Sequence, residues 1–372
     1  MNIECKTRDL LNTIEKASRA IGRNMSLPVL SCVYLNTDKS TSLLNIKTTN
    51  LDIGVDFKVK VKCLESDSVA VPANILLNFL SSLNSEADLK ILLENGNLKI
   101  SSKNNSSVIK CLPVEDFPNI PVTQSGKETS IKSKDFINGI RSVWYSASNS
   151  TIKPELASVY ITPGEQELIF VSTDSFRLAE KKVYYKNPIE FQPTLLPYKN
   201  IPDMIKILDK IDDDIKLVFD KNQISFSFSF GVSTGTLVSR VIDGSFPDYK
   251  QIIPKLPQTE MTVLKNDLVA TIHRAQVFSD PFNQIRFKID PQNKRCSITT
   301  KNNDVGEFVE EIPGKFSGDL IEISFNHKYI LDAMQSIDSD SLSLSLSGTG
   351  KPMIIKGTSD KSFTYVVMPM NR

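Results

Sequence analysis

Residues 114–121 read "VEDFPNIP" and residues 242–254 read "IDGSFPDYKQIIP". Both stretches write Asp, Phe, Pro and a closing Pro in the same order. Their Phe-Pro pairs, Phe117-Pro118 and Phe246-Pro247, lie 129 residues apart, and one more such step reaches about the end of the 372-residue chain. The phrase therefore marks the end of a unit that the chain writes three times.

The beginnings of the units carry the same period. "RDLLNTIEKAS" (8–18), "KDFINGIRSVW" (134–144) and "NDLVATIHRAQ" (266–276) each run from an Asp to an Ile: Asp9 to Ile14, Asp135 to Ile140, Asp267 to Ile272. Leu10, Ile14 and Ala17 recur at helical spacing, as do Phe136, Ile140 and Val143, so each opening reads as an amphipathic helix. An Asp in the first turn suits the helix dipole and can cap free N–H groups. Second helices are expected at "PANILLNFLSSL" (72–83), "PYKNIPDMIKIL" (197–208) and "NHKYILDAMQSI" (326–337), with Pro72 and Pro197 at their starts. Between helices the period changes to two, as in "ISFSFSF" (224–230) and "LSLSLS" (342–347), and Asn95-Gly96 is a strong hairpin signal. Such alternation puts one face of an antiparallel sheet on a core. The expected fold class is α+β, with three tandem, similar domains of antiparallel sheet plus two helices, spanning 1–122, 123–254 and 255–372. The polar, Gly-containing "TQSGKET" (123–129) suits the first boundary.

Composition narrows the class. Hydrophobic residues at 40% and charged ones at 23% are those of a soluble globular protein, and no run of about 18 apolar residues offers a membrane span. The N-terminus lacks the basic and apolar blocks of a signal peptide. Five scattered cysteines without a C-x-x-C pair, and two histidines, read as reduced thiols in a cytoplasmic protein with no metal site and no cofactor. A net charge of +1 does not by itself point to nucleic acid.

No reaction is written in the chain. "SGTGKPM" (347–353) fails as a phosphate loop, because Ser345 stands where that motif needs Gly and Pro352 where it needs Ser or Thr. It reads as a β-turn before a strand, "MIIKG". His273 and His327 have no nucleophile motif beside them and read as surface histidines. The "DDD" at 212–214 reads as a solvated turn and not a metal site. The six helical segments together carry +5 in a chain of +1, a modest segregation that permits sequence-independent attraction to phosphates.

Several motifs occur together and in order: "LPVL" (27–30), "EDFP" (115–118), "TDSFRLA" (173–179), "IDGSFPDY" (242–249), Asn326 with Tyr329, and the terminal "YVVMPM" (365–370). Over its whole length the chain resembles the bacterial DNA polymerase III beta subunit family, the sliding clamps. That resemblance implies a head-to-tail homodimer forming a ring, with helices lining the hole and sheets outside. The ring would encircle double-stranded DNA without sequence preference and slide, making the chain a processivity factor and not an enzyme. The implied partners are the replicative DNA polymerase alpha subunit, the clamp loader, which supplies the ATP, and other proteins with a clamp-binding motif.

The resemblance also implies sites. A peptide-binding cleft between the second and third domains would use Leu156, Thr173, Ser175, Arg177, Leu178, Pro247, Ile252, Asn326, Tyr329, Pro352, Val366, Val367, Met368, Pro369 and Met370. Met and Leu walls adapt to varied apolar anchors, while Arg177 and backbone groups would fix an extended peptide. Arg19, Arg23, Arg141, Lys153 and Lys199 would face DNA, and Ile109 would meet Val277 and Phe278 at the dimer interface. The chain departs from the family at Ser175-Phe176, where Gly-His is frequent, at Gln251, where Arg is common, at Asn371-Arg372, and at Asn24, where a DNA-contacting Arg often stands. Two other classes compete. An enzyme on this scaffold needs convergent acid–base residues, and a non-enzymatic peptide-binding scaffold that does not encircle DNA is the alternative reading.

Overall fold

A computed structural model of the chain describes residues 1–22, 27–103, 105–121, 128–185, 190–211 and 213–370. Three times the chain runs strand, helix, strands, helix, three strands. The first pass is β1 (Asn2–Lys6), α1 (Thr7–Ala17), β2 (Cys32–Asp38), β3 (Leu43–Thr49), β4 (Ile53–Lys60), β5 (Lys62–Glu65), β6 (Asp67–Pro72), α2 (Ala73–Ser81), β7 (Asp88–Glu94), β8 (Asn97–Ser101) and β9 (Ser106–Ile109). The second is β10 (Glu128–Lys132), α3 (Ser133–Val143), β11 (Ser158–Pro163), β12 (Glu167–Thr173), β13 (Arg177–Tyr184), β14 (Thr194–Pro197), α4 (Ile201–Leu208), β15 (Asp214–Phe219), β16 (Gln223–Phe230) and β17 (Ser233–Arg240). The third is β18 (Thr259–Leu264), α5 (Lys265–Ala275), β19 (Gln284–Asp290), β20 (Arg295–Asn302), β21 (Gly306–Glu311), β22 (Gly314–Gly318), β23 (Ile321–Asn326), α6 (His327–Met334), β24 (Ser341–Leu346), β25 (Met353–Gly357) and β26 (Phe363–Val367).

The strands do not form one sheet per repeat. Two compact units arise, Met1–Ile137 with Lys199–Asp243, and Asn138–Tyr198 with Gly244–Arg372. The first unit holds a sheet ordered β5-β1-β7-β8-β9 and a long one, β10-β15-β16-β17-β4-β3-β2-β6. The second holds the long sheet β14-β11-β12-β13-β26-β25-β24-β18-β22 and a short one, β21-β20-β19-β23. All ladders are antiparallel. Inside the first long sheet, β17 of the second repeat pairs with β4 of the first, Ser233 opposite Val59 through Ser239 opposite Ile53. Inside the other, β13 pairs with β26 in the same manner, Arg177 opposite Val367 through Lys181 opposite Phe363. Each junction between repeats is thus a continuous backbone ladder.

Local chemistry repeats with the elements. The first N–H of each opening helix donates to a carbonyl beyond the second helix: Thr7 to Ala87, Ser133 to Asp213, Lys265 to Asp340. The Asp in the first turn supplies charge but no side-chain cap in α1 or α5. At the other end a strand hydroxyl donates to the helix's last carbonyl, Thr48 to Ala17, Ser172 to Val143 and Thr300 to Ala275. Leu10, Ile14, Ala17, Phe136, Ile140 and Val143 are all buried, as their spacing predicts. The Phe-Pro phrases have one job as well. Phe117 stacks on Tyr34 of β2 at 5.0 Å between ring centroids, and Phe246 on Tyr160 of β11 at 4.8 Å. Each closing segment folds back over the strand that follows its own opening helix.

Asn95 and Gly96 turn β7 into β8 with φ of 49° and 73°, the left-handed pair that a two-residue hairpin needs. "MIIKG" is β25, and the segment before it turns through a Lys351 N–H to Gly348 carbonyl bond.

One expectation shifts and one needs correction. Pro197 ends β14, opposite Ser158, as Pro72 ends β6, and a 3-10 turn over Tyr198–Asn200 carries the chain from it into α4 at Ile201. β14 is an edge strand, where a missing N–H costs nothing, and Pro202 takes the first-turn place instead. His327 is not on the surface. As the first residue of α6 it is 3% exposed, with no hydrogen-bond partner for either ring nitrogen among the described residues. His273 is exposed, as expected. The boundary residues 123–127 and Asp212 of the acidic turn lie outside the described residues.

Candidate functional site

The second unit gathers most of the expected cleft around the β13:β26 ladder. The chain turns from β12 to β13 through Thr173–Arg177. Asp174 Oδ1 accepts from the N–H groups of Phe176 and Arg177, both at 2.9 Å. Thr173 Oγ1 donates to the Arg177 carbonyl at 2.6 Å and accepts from Ser175 N–H at 3.1 Å. Ser175 takes φ of 78°, which this mesh of bonds imposes on a non-glycine residue. After β26 the backbone stays tied down: Met368 N–H donates to Phe176 O, and Met370 N–H to Ser324 O, each at 2.8 Å. "YVVMPM" is therefore apolar to its end because it is a structural strand followed by a pinned, half-buried tail.

Arg177 braces this corner. Its Nε donates to Asp174 at 3.0 Å, Nη1 to Asp332 of α6, and Nη2 to the Tyr145 carbonyl at 2.8 Å. The guanidinium also lies over the Tyr329 ring, 4.5 Å from its centroid. Below it is an apolar floor of Leu178, Val366, Ile169, Val171 and Tyr249, with Tyr160, Phe246 and Ile253 packed against it. Tyr249 donates to Glu180 at 2.6 Å; burial and that carboxylate push the phenol well above its ordinary pKa, so it stays a neutral donor. Leu156, Thr173, Pro352 and Val367 are buried, Ser175, Pro247 and Ile252 are exposed, and Met368, Pro369 and Met370 are half-buried. Asn326 caps α6 by accepting from Lys328 N–H at 3.0 Å. A greasy floor with a rigid polar corner and exposed rim can seat a short extended chain.

The remaining expected residues are spread across both units. Arg19 follows α1 and lines a concavity of about 740 Å³ with Asn74, Asn78 and Lys206 of α2 and α4. Arg141 and Lys153 are exposed in the second unit. Lys199 is exposed but paired to Asp52 at 2.7 Å, which blunts its charge. Arg23 and Asn24, like Asn371 and Arg372, lie outside the described residues. The charge tally also overcounts Lys16. Its ammonium donates to the Ile207 and Asp209 carbonyls at 2.8 and 2.6 Å and sits 4.4 Å over the Phe230 ring, while burial pushes its pKa down to about 8. It caps α4 and does not face solvent as a free charge.

Of the expected interface residues, Val277 is 64% exposed and Phe278 stacks on Phe308 of β21 at 6.0 Å. Ile109 is already buried in its own chain, and its neighbour Val108, 63% exposed, is the outward apolar residue of β9. Sequence reasoning missed Asp174, Asp332, Tyr145 and Tyr249. One signal was available for Asp174. The turn it anchors recurs as Thr49–Ile53, where Asn50 Oδ1 accepts from Asp52 and Ile53, and Asn302 accepts from Asp304 in the third repeat. In the second repeat the residue is Asp, and its second oxygen pairs with the Arg177 side chain.

Comparison with known proteins agrees across the chain. The family models for the DNA polymerase III beta subunit match in three pieces: the N-terminal domain over residues 1–121, the central domain over 130–248, and the C-terminal domain over 250–371. The beta sliding clamps of Synechococcus elongatus and Vibrio cholerae are each 25% identical, covering 100% of this chain and 99% and 100% of their own. The crystal structure of the DNA polymerase III subunit beta from Pseudomonas aeruginosa superposes with a TM-score of 0.93 at 23% identity, over 100% of both chains. That from Thermotoga maritima gives 0.92 at 24%, over 100% of this chain and 99% of the other.

Proposed function

The chain belongs to the DNA polymerase III beta subunit family, and we infer from that membership that it is a processivity factor of DNA replication. It works as a homodimeric ring that encloses duplex DNA, slides, and tethers the replicative polymerase. Linkage and not affinity keeps the polymerase on its template, so the protein needs no reaction of its own. The three domains would span 1–122, 123–254 and 255–372, and the ring would act in the cytoplasm.

One observation carries the ring. At both internal junctions a fourth strand of one repeat, β4 or β13, pairs with the last strand of the next, β17 or β26. The two strands left over are β21 and β9, each at a sheet edge with one partner. They are the two halves of a third such junction, and a second copy of the chain supplies both. Val108, Val277 and Phe278 would be covered when β21 meets β9 of the other chain.

Within this ring the helices would face the hole, and Arg19, Arg23, Arg141, Lys153 and Lys199 would act on phosphates without reading bases. The β13:β26 cleft would take extended peptides of the polymerase alpha subunit, the clamp loader and other partners. Their apolar anchors would enter over Leu178, Pro247, Val366 and Met368, with Met370 at the entrance. Mass in solution and DNA retention test the reading together. A dimer that stays on circular plasmid and slips off the same plasmid once linearised is expected. A monomer at micromolar concentration, or equal retention on both plasmids, would overturn it and favour a scaffold that does not encircle DNA.

A further inference from the structure

We propose that the β4:β17 junction holds a second cleft, built on the plan of the β13:β26 cleft, for a short extended peptide with one small apolar side chain beside a carboxylate. The plan is repeated residue by residue. Gly54 opposite Val238 reproduces Leu178 opposite Val366. Arg240 N–H donates to Asp52 O at 2.8 Å, as Met368 N–H does to Phe176 O. The Thr49–Ile53 turn carries the same side-chain bonds as Thr173–Arg177: Thr49 Oγ1 donates to the Ile53 carbonyl at 2.9 Å and accepts from Leu51 N–H at 3.0 Å. Pro118 stands in the place of Pro247, one residue after the stacked Phe. These residues line an open cavity of about 90 Å³ in the first unit.

What differs sets the ligand. Gly54 has no wall to offer, and Ile120 fills the space: a Cβ on Gly54 would come within 2.9 Å of Ile120 Cγ2. The remaining volume equals about three waters, room for one small aliphatic side chain and not for two large ones. Where the other cleft has Pro352 and Met368, this one has Gln223 and Arg240. Arg240 is exposed, and its guanidinium has no partner among the described residues. With Asp52 already paired to Lys199, the rim is left positive and favours a carboxylate held by the arginine fork. The inference rests on the reading of the β13:β26 cleft as a peptide site, since it borrows that cleft's geometry.

The probe is acetyl-Ser-Ser-Val-Asp with a free C-terminus, added to the intact dimer carrying labelled isoleucine methyl groups. Signals of Ile53 and Ile120 should move, with a dissociation constant on the order of millimolar. Arg240→Glu, at an exposed position, should weaken this by about tenfold, and Met368→Ala should leave it unchanged. Still signals at Ile120 up to about 5 mM probe, or shifts indifferent to Arg240→Glu, would overturn the proposal. So would Ile120 shifts produced by duplex DNA and not by the peptide. The two readings fail separately: a Gln-containing apolar peptide that leaves Ile252 and Ile253 unmoved counts against the β13:β26 cleft, whatever the acidic probe does at Ile120.

Discussion

Replacing Arg177 by Met should unlock the corner of the β13:β26 cleft, and the loss can be worked from its bonds. The side chain makes two charge-assisted contacts, to Asp174 and Asp332, and one bond to the Tyr145 carbonyl. Asp174, 15% exposed, would be left as a nearly buried, uncompensated carboxylate. Breaking a pair of this kind costs about 3–5 kcal/mol, much of it from the stranded charge. That diagnosis makes a second variant informative. Asn50 makes the same turn without a charge, so Asp174→Asn should keep the turn and remove the stranded carboxylate. The double variant Arg177→Met, Asp174→Asn should therefore recover about 1–2 kcal/mol relative to Arg177→Met alone. Denaturant unfolding followed by the fluorescence of Trp144, the chain's single tryptophan, reads this out, because Trp144 stacks on Tyr198 at 5.6 Å and neighbours Tyr145. If the double variant is no more stable than Arg177→Met, the cost does not come from Asp174, and the brace is misread.

Met368→Ala thins a wall of the same cleft and should weaken an extended apolar peptide by about 1–3 kcal/mol in calorimetry. Val277→Ala with Phe278→Ala should cost the dimer about 2–5 kcal/mol, read as a raised dissociation constant in sedimentation. Neutralising Arg19, Arg141, Lys153 or Lys199 should each lower the salt slope of DNA binding by up to about one without altering base preference, and by less where a carboxylate already pairs the charge, as Glu15 does Arg19 and Asp52 does Lys199. Burial, then Lys328, holds the His327 pKa below its ordinary value, so the unfolded chain takes up the proton first as pH falls. Stability should be unaffected by this group above its unfolded value, about 6.5, and fall by up to about 1.4 kcal/mol per pH unit below it until the folded value is passed. A His327→Leu variant should lose that acid sensitivity in equilibrium unfolding.

The repeat was legible because each helix must bury a stripe at fixed spacing, and because both Phe-Pro phrases stack on a strand tyrosine. Those are local demands, and local demands leave marks in sequence. Pairing between repeats left none. β17 alternates in the same way whether its neighbour is β4 or another strand, and Ser233 meets Val59 only through the folded backbone. For the same reason the burial of His327 was hidden, since its position on α6 follows from the strand before it. The cleft's residues came from motifs, but its brace was readable only by laying "TN" (49–50), "TD" (173–174) and "KN" (301–302) side by side. Charge counted along the chain overstated the free helix charge, because Lys16 is spent on two carbonyls.

In the proposed ring the two edge strands β9 and β21 would also select how copies of the chain meet. An exposed edge pairs with whatever strand approaches, so β9 and β21 could each join their own kind or one another. β21 reads "GEFVEE", and Glu307 and Glu311 are exposed along it. Two copies of β21 laid side by side would set these carboxylates against each other, which opposes that pairing. β9 reads "SSVI" and is flanked by Lys103 and Lys110, both exposed, so it offers no acid and brings opposite charge. Unlike edges are therefore favoured over like ones, and each chain has one of each. A head-to-tail association of this kind either closes or runs on as a filament. Two chains whose every junction repeats one ladder geometry close when the turn per repeat brings the second β21 back to the first β9. The same charges make closure salt-sensitive: raising ionic strength should loosen the β21:β9 contact while leaving β4:β17 and β13:β26, which are internal to the chain, intact.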